Sequence, residues 1–264
     1  MTRNHLFLAL AVLLVCFIAF AGQIAYGGIL SIGTATISPT LTGVTGQSIT
    51  VTVNGQSPDT ITDVNVIVPN LWTWSFSTGD VSFVGGGSPL AAISGDTVEV
   101  SGLVVGPTGN VQIILNNITP VDSTDFFTFI VQTGVSQGAI SSIATSPQIL
   151  VHGSPRPISK IKTNNSSGLP LLNGKYVTAE GIVTVANEFE SPSYIQDSTG
   201  GMAVYSTAFS SSVHEGDQVI VLGLVSPYEG LFELTTVTLV QTVSTGNTVN
   251  PIMLTCSQIA NDGT

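Results

Sequence analysis

The chain has 264 residues, 43% hydrophobic and only 8% charged, with 28 Gly and a formal net charge of −11. That apolar content excludes intrinsic disorder, and the scarcity of Glu, Lys and Arg excludes an ordinary helical surface. A chain this acidic repels phosphate backbones at long range, which weighs against general nucleic-acid binding; the same acidity also keeps an exported protein soluble.

The N-terminus comes first. Arg3 and His5 precede an unbroken apolar run from Leu6 to Phe20, and Ala19-Phe20-Ala21 has the form of an A-x-A cleavage site. The run is short for a membrane span and ends in small residues. Residues 1–21 are therefore expected to be a secretory signal peptide, with an uncleaved anchor as the alternative. A secreted or cell-surface location follows, with no membrane span after cleavage. Cys16 falls inside the signal, so Cys256 is left alone and no internal disulfide framework is expected. Cys256 is read as a small buried hydrophobe or as a partner for another chain. Cleavage also removes Arg3, leaving four basic residues against 16 acidic ones. Residues 29–154 hold seven acids and no Lys or Arg, while residues 155–264 hold nine acids and four bases.

From residue 29 onward the pattern is period-two alternation, with no long amphipathic helical repeat. Residues 48–55 (SITVTVNG), 63–68 (DVNVIV), 80–85 (DVSFVG), 96–102 (DTVEVSG), 110–118 (NVQIILNNI) and 126–132 (FFTFIVQ) each predict one strand. Gly, Pro, Asn and Asp separate them, and the GGG at 85–87 reads as a flexible loop. Short strands at this spacing predict an immunoglobulin-like β-sandwich over 29–152. Residues 152–159 (HGSPRPIS) mark its boundary, so 153–175 is the expected linker and lead-in. Asn117, Asn164 and Asn165 open N-x-[ST] triplets, which mark only loops able to be exposed.

The remaining residues, 176–264, read as a second domain of five strands. Residues 176–186 form a long strand in which Gly181 is placed for a bend or bulge. Residues 193–197 and 201–206 make a hairpin across Ser198-Thr199-Gly200, where Asp197 is expected to bond nearby amides and Gly200 and Gly201 to supply positive φ. Residues 217–226 and 231–241 make a second hairpin. This order is that of an OB-fold barrel, so the whole chain is expected to be all-β.

The motifs GIVTVANEF, SYIQDSTGGMAVY and EGDQVIVLGLVSPYEGLFEL, in that order, resemble the bacterial extracellular OB-fold domain associated with secreted endonucleases and exonucleases. The similar pattern runs from about Ile158 to the end and does not reach residues 29–152. The resemblance implies a module that accompanies other domains, often nuclease or surface-attachment ones. It also implies a further strand after a segment like PIMLTCSQIANDG, so the chain is expected to be part of a longer product. Any catalytic domain would then lie beyond Thr264.

An OB barrel offers ligands the face of its second and third strands and the loops 1–2 and 4–5. Here those regions carry Phe189, Tyr194, Tyr205, Tyr228 and Phe232. Aromatic rings there can stack bases or sugars, each base stack being worth roughly 1–3 kcal/mol. Phe189 and Tyr228 are the leading candidates because both lie in loops; the competing reading is core or edge packing. Glu188, Glu190 and Glu229 share those loops with no Lys or Arg beside them, the reverse of a nucleic-acid groove. In the sandwich, Trp72 and Trp74 stand at i and i+2 on one face of an extended segment. Turned outward they form a sugar or partner platform, and turned inward they fill the core, which their size favours.

Catalytic signatures are weak. Residues 134–138 (GVSQG) match G-x-S-x-G, but no helix follows, so Ser136 is expected to be a loop serine. His152 and His214 are the only histidines outside the signal, and an acid–base or metal role for His214 with Glu215 and Asp217 would need distant partners. No metal motif, cofactor-binding loop or catalytic constellation is found. The expectation is a non-catalytic module of a secreted or surface protein. The open partner classes are single-stranded nucleic acid, a saccharide or a downstream domain.

Overall fold

The computed structural model describes residues 32–249 except 39–40, 44 and 137–138. The expected signal peptide, Cys16, Cys256 and the residues from 250 onward lie outside these. The fold is all-β, and its contacts separate two compact units. One comprises 32–38, 46–119 and 127–149; the other comprises 41–43, 45, 120–126 and 150–249.

The first unit is a sandwich of antiparallel sheets. Strands β1 (Thr34–Ser38), β3 (Gln47–Asn54), β8 (Asn110–Ile118) and β5 (Val81–Gly85) form a four-stranded sheet in the order β1-β3-β8-β5. Strands β4 (Ile61–Ile67), β6 (Gly87–Ser94), β7 (Thr97–Leu103), β10 (Ile130–Val135) and β11 (Ser141–Ser142) form a five-stranded sheet in the order β11-β10-β4-β7-β6. Period-two alternation makes the core: Ile49, Val51 and Val53 of β3, Val111, Ile113 and Leu115 of β8 and Val64 and Val66 of β4 are fully buried.

Several expectations change here. The three glycines 85–87 are not a slack loop, since they carry the chain from β5 in one sheet into β6 in the other. All three hold positive φ, of 79°, 75° and 90°. A side chain on buried Gly86 would meet Val111 Cγ2 at 2.7 Å and Leu103 Cδ2 at 2.9 Å, so only glycine passes there. The run 126–132 is not one strand but two, β9 (Asp125–Thr128) and β10. They part at Phe129, whose amide leaves the ladder to donate to the Pro147 carbonyl at 3.0 Å.

In the second unit, β2 (Leu41–Thr42) pairs in parallel with the end of β12 (Gln148–His152). The chain then enters a helical turn, Ile158–Ile161, whose Ile158 and Ile161 are fully buried in the barrel core. Five strands follow: β13 (Tyr176–Val185), β14 (Ser193–Asp197), β15 (Gly200–Val204), β16 (Gln218–Tyr228) and β17 (Leu231–Ser244). They close into a barrel in the order β13-β14-β15-β17-β16. All neighbours are antiparallel except β15 and β17. A second helical turn, Thr207–Ser210, connects β15 to β16 and is capped by the Ser206 hydroxyl, which accepts from the Phe209 amide at 3.2 Å. A five-stranded barrel with this order is the OB arrangement.

Gly181 sits where β13 changes partner, pairing with β16 over residues 176–182 and with β14 from Ile182 onward. Its absent side chain makes room for β14, because a Cβ there would lie 3.0 Å from the Gln196 carbonyl oxygen and 3.2 Å from the Gln196 nitrogen.

Candidate ligand-binding face of the barrel

Alternation along the barrel strands sorts side chains into an inward and an outward set. Val204, Leu234, Val225 and Ile195 belong to the buried core cluster. Their neighbours Ala203, Glu233, Ser226 and Tyr194 therefore point away from that core; Ala203 and Glu233 are buried there, and Tyr194 and Ser226 are half-buried. Register places these four in one row, since Tyr194 pairs with Ala203, Ala203 with Glu233 and Glu233 with Ser226. Loop 186–192 adjoins the Tyr194 end of the row. The two-residue turn Glu229-Gly230 lies just beyond Tyr228 and Leu231, near its other end.

Two further tyrosines flank the row. Tyr205 follows Val204 on β15 with its amide donating to the Leu234 carbonyl at 2.8 Å, and it is 56% exposed. Tyr228 opposes Leu231 on the other side of Glu233 and is 61% exposed. Phe189, at 76%, is the most exposed of these rings. Its loop is ordered by its own backbone: the Glu188 carboxylate accepts from the Ala186 amide at 2.6 Å, and Glu190 takes a φ of 68°. Tyr194 is half-buried. Phe232 stands apart from this set, because it alternates to the other face and lies under the Lys162 ammonium, 5.9 Å from the ring centroid.

Glu233 carries no signal in the sequence that would select it. It is only 7% exposed, and among the described residues it has no hydrogen-bond or ion-pair partner. Burial raises its carboxyl above the ordinary range. Removal from water without a partner is the costly way to hold an acid.

Asp197 has the opposite environment. Burial alone would raise its pKa, but hydrogen bonds from the Ile158 amide, the Thr199 hydroxyl and amide and the Gly200 amide outweigh that and lower it. Their lengths are 2.8, 2.7, 2.6 and 2.9 Å. The turn thus comprises only Ser198 and Thr199, with Gly200 already paired in the ladder opposite Asp197. Neither Gly200 nor Gly201 takes the positive φ expected of it. Beside the turn lies a cleft of about 520 Å³ lined in part by Arg156, Glu180, Gln196, Asp197 and Gln218. Within it Gln218 Nε2 donates to Glu180 at 2.5 Å, and the Asp197 carboxylate is taken up by its own turn.

Trp72 and Trp74 do not form a surface platform. Each is only 5% exposed. Trp72 meets Phe127 and Phe129 edge-on at 5.5 and 5.2 Å, and Trp74 meets Phe76 at 5.3 Å. The Trp74 indole donates to the Asn116 carbonyl at 2.7 Å, whereas the buried Trp72 indole nitrogen has no partner among the described residues. The extended segment is short but real: Thr73 between the two rings pairs with Thr119, and Leu71 and Phe76 on either side take φ of 73° and 48°.

Ser136 is exposed in a turn, and Gln137 and Gly138 of its motif lie outside the described residues. His214 is surface-exposed, with its ring 3.7 Å from Asp217. His152 on β12 is half-buried, and burial lowers its pKa. Among the described residues no three metal-ligating side chains gather, and no helix is long and apolar enough to cross a membrane.

No family model matches the chain, and no curated protein matches it. Among solved structures it is similar to the crystal structure of BslA, a bacterial hydrophobin, with 18% identity, a TM-score of 0.37 and coverage of 49% of this chain and 100% of that one. It is also similar to a non-cellulosomal cohesin from the hyperthermophilic archaeon Archaeoglobus fulgidus, with 12% identity, a TM-score of 0.30 and coverage of 46% of this chain and 91% of that one. Neither is a nuclease-associated domain, and likenesses this distant carry no argument about function.

Proposed function

We propose that the chain is a non-catalytic binding module of a secreted or cell-surface bacterial protein, and that its barrel holds a saccharide on the Tyr194–Ala203–Glu233–Ser226 face. One observation carries this reading: exposed Phe189, Tyr205 and Tyr228 surround a face whose charged groups, Glu188, Glu190, Glu229 and Glu233, are all acidic. Aromatic rings stack on the C–H faces of sugars, and carboxylates accept from sugar hydroxyls. The same acids repel a phosphate backbone. The apolar run 6–20 supports export. The barrel's strand order supports kinship with the nuclease-associated OB modules.

The test sets two probes against each other on the purified protein. Neutral oligosaccharides on a glycan array are expected to bind, and Phe189→Ala and Tyr228→Ala to weaken them while leaving the melting temperature unchanged. Fluorescent single-stranded DNA is expected not to bind at low salt. Saturable DNA binding that fades with salt and with both substitutions, alongside a silent array, would replace this reading with a nucleic-acid one.

A further inference from the structure

We propose that Glu233 is the counter-charge for a ligand amine, so that the barrel face selects saccharides bearing a free primary amine. This rests on the reading of the face as a saccharide site and names the class of sugar.

The inference starts from an incomplete interaction. Glu233 is 93% buried on a strand face that points away from the core, and nothing among the described residues bonds to it. A buried carboxylate without a partner is costly, and a buried charge pair that loses one member is strongly destabilised. Among the described residues no cation pairs with Glu233. Its nearest neighbours in register are Ala203 and Ser226, flanked by Tyr205 and Tyr228. The ammonium of Lys162 is taken up at Phe232 on the alternate face.

An incoming group has to bring both positive charge and N–H donors. A primary ammonium has both. A sugar hydroxyl donates without charge, an acetylated amine has lost its charge, and a quaternary ammonium has no donor. The surroundings suit an amine carried on a ring, because exposed Tyr205 and Tyr228 stand on opposite sides of the acid where sugar faces can stack. A tyrosine face also attracts a cation directly. The wider field adds to this, since the chain's net charge of −11 raises the local concentration of cationic ligands.

Isothermal titration of the purified protein with three β-1,4 tetramers tests the inference: glucosamine, N-acetylglucosamine and glucose, at about pH 6 where amines are charged. The glucosamine tetramer is expected to bind about tenfold or more tighter than the other two. Glu233→Gln should erase that preference, Glu233→Asp should keep part of it, and Glu229→Gln should leave it nearly intact. Thermal melts verify that each variant is folded. Equal binding of all three tetramers would overturn the inference and leave the saccharide reading standing. A preference that survives Glu233→Gln would overturn the role of Glu233, assigning the effect to overall charge. Binding of none of the three would overturn both.

Discussion

Replacing Asp197 with Ala tests how the barrel is fastened to the segment that leads into it. The side chain accepts four hydrogen bonds, at 2.6 to 2.9 Å, from Ile158, Thr199 and Gly200. They are unequal in consequence. The Thr199 groups lie in an exposed turn, where water takes the place of the carboxylate. The Ile158 amide opens the helical turn whose two isoleucines are fully buried, and among the described residues it has no other acceptor. Leaving such a donor unpaired costs about 1–3 kcal/mol, and loosening the hairpin turn adds about 0.5–1 kcal/mol. A total of about 2–3 kcal/mol corresponds to a fall of about 5–10 °C in melting temperature for a chain of this size. Calorimetry at neutral pH measures it.

Asp197→Asn keeps an acceptor but not the charge and should lose about half as much. The pH dependence has a defined sign. The folded pKa is lowered, so the stabilisation is complete above the ordinary aspartate range and is lost as pH falls through the folded value. The gap between wild type and Asp197→Asn should therefore close in acid. A melting temperature for Asp197→Ala within about 1 °C of wild type, or a gap that persists in acid, would refute the reasoning.

Other substitutions probe separate points. Glu233→Gln should stabilise the protein at neutral pH, because burial raises the folded pKa and the unpaired charge destabilises above it. That gain should vanish below the ordinary glutamate range, as melts across pH will show. Trp74→Phe should cost about 1 kcal/mol more than Trp72→Phe in urea unfolding, because only the Trp74 indole has a partner to lose. Gly181→Ala should cost about 1–3 kcal/mol in the same assay by pushing β13 off the Gln196 backbone, and an unchanged midpoint would refute the close approach.

The barrel was more legible than the sandwich for a physical reason. Its strands are separated by strong turn residues, so residues 193–197 coincide with β14 and Gly181 lies at the predicted bend. In the sandwich, β6 reads GSPLAAIS, which has neither β-branched enrichment nor clear alternation, and it was hidden behind three glycines. Phe129 broke a run that looked continuous, and only a distant carbonyl at Pro147 explains why. The two tryptophans were ambiguous because the i and i+2 rule puts them on one face without saying whether that face turns to the core or to solvent. Glu233 was invisible for the opposite reason: one acid in an alternating strand reads as an ordinary solvent position, and only the folded face shows that it is 7% exposed.

Closure of the barrel decides how each unit can be approached. A strand at the end of a sheet leaves a row of amides and carbonyls open to a new strand. The five barrel strands leave no such row, whereas the two sandwich sheets end in β1, β5, β6 and β11. Strand β6 also carries Leu90, which is 71% exposed. A partner that joins by lengthening a sheet can extend the sandwich but has no terminus to extend on the barrel. Recognition at the barrel therefore falls to its side chains and loops, so substitutions there should alter which ligand is chosen.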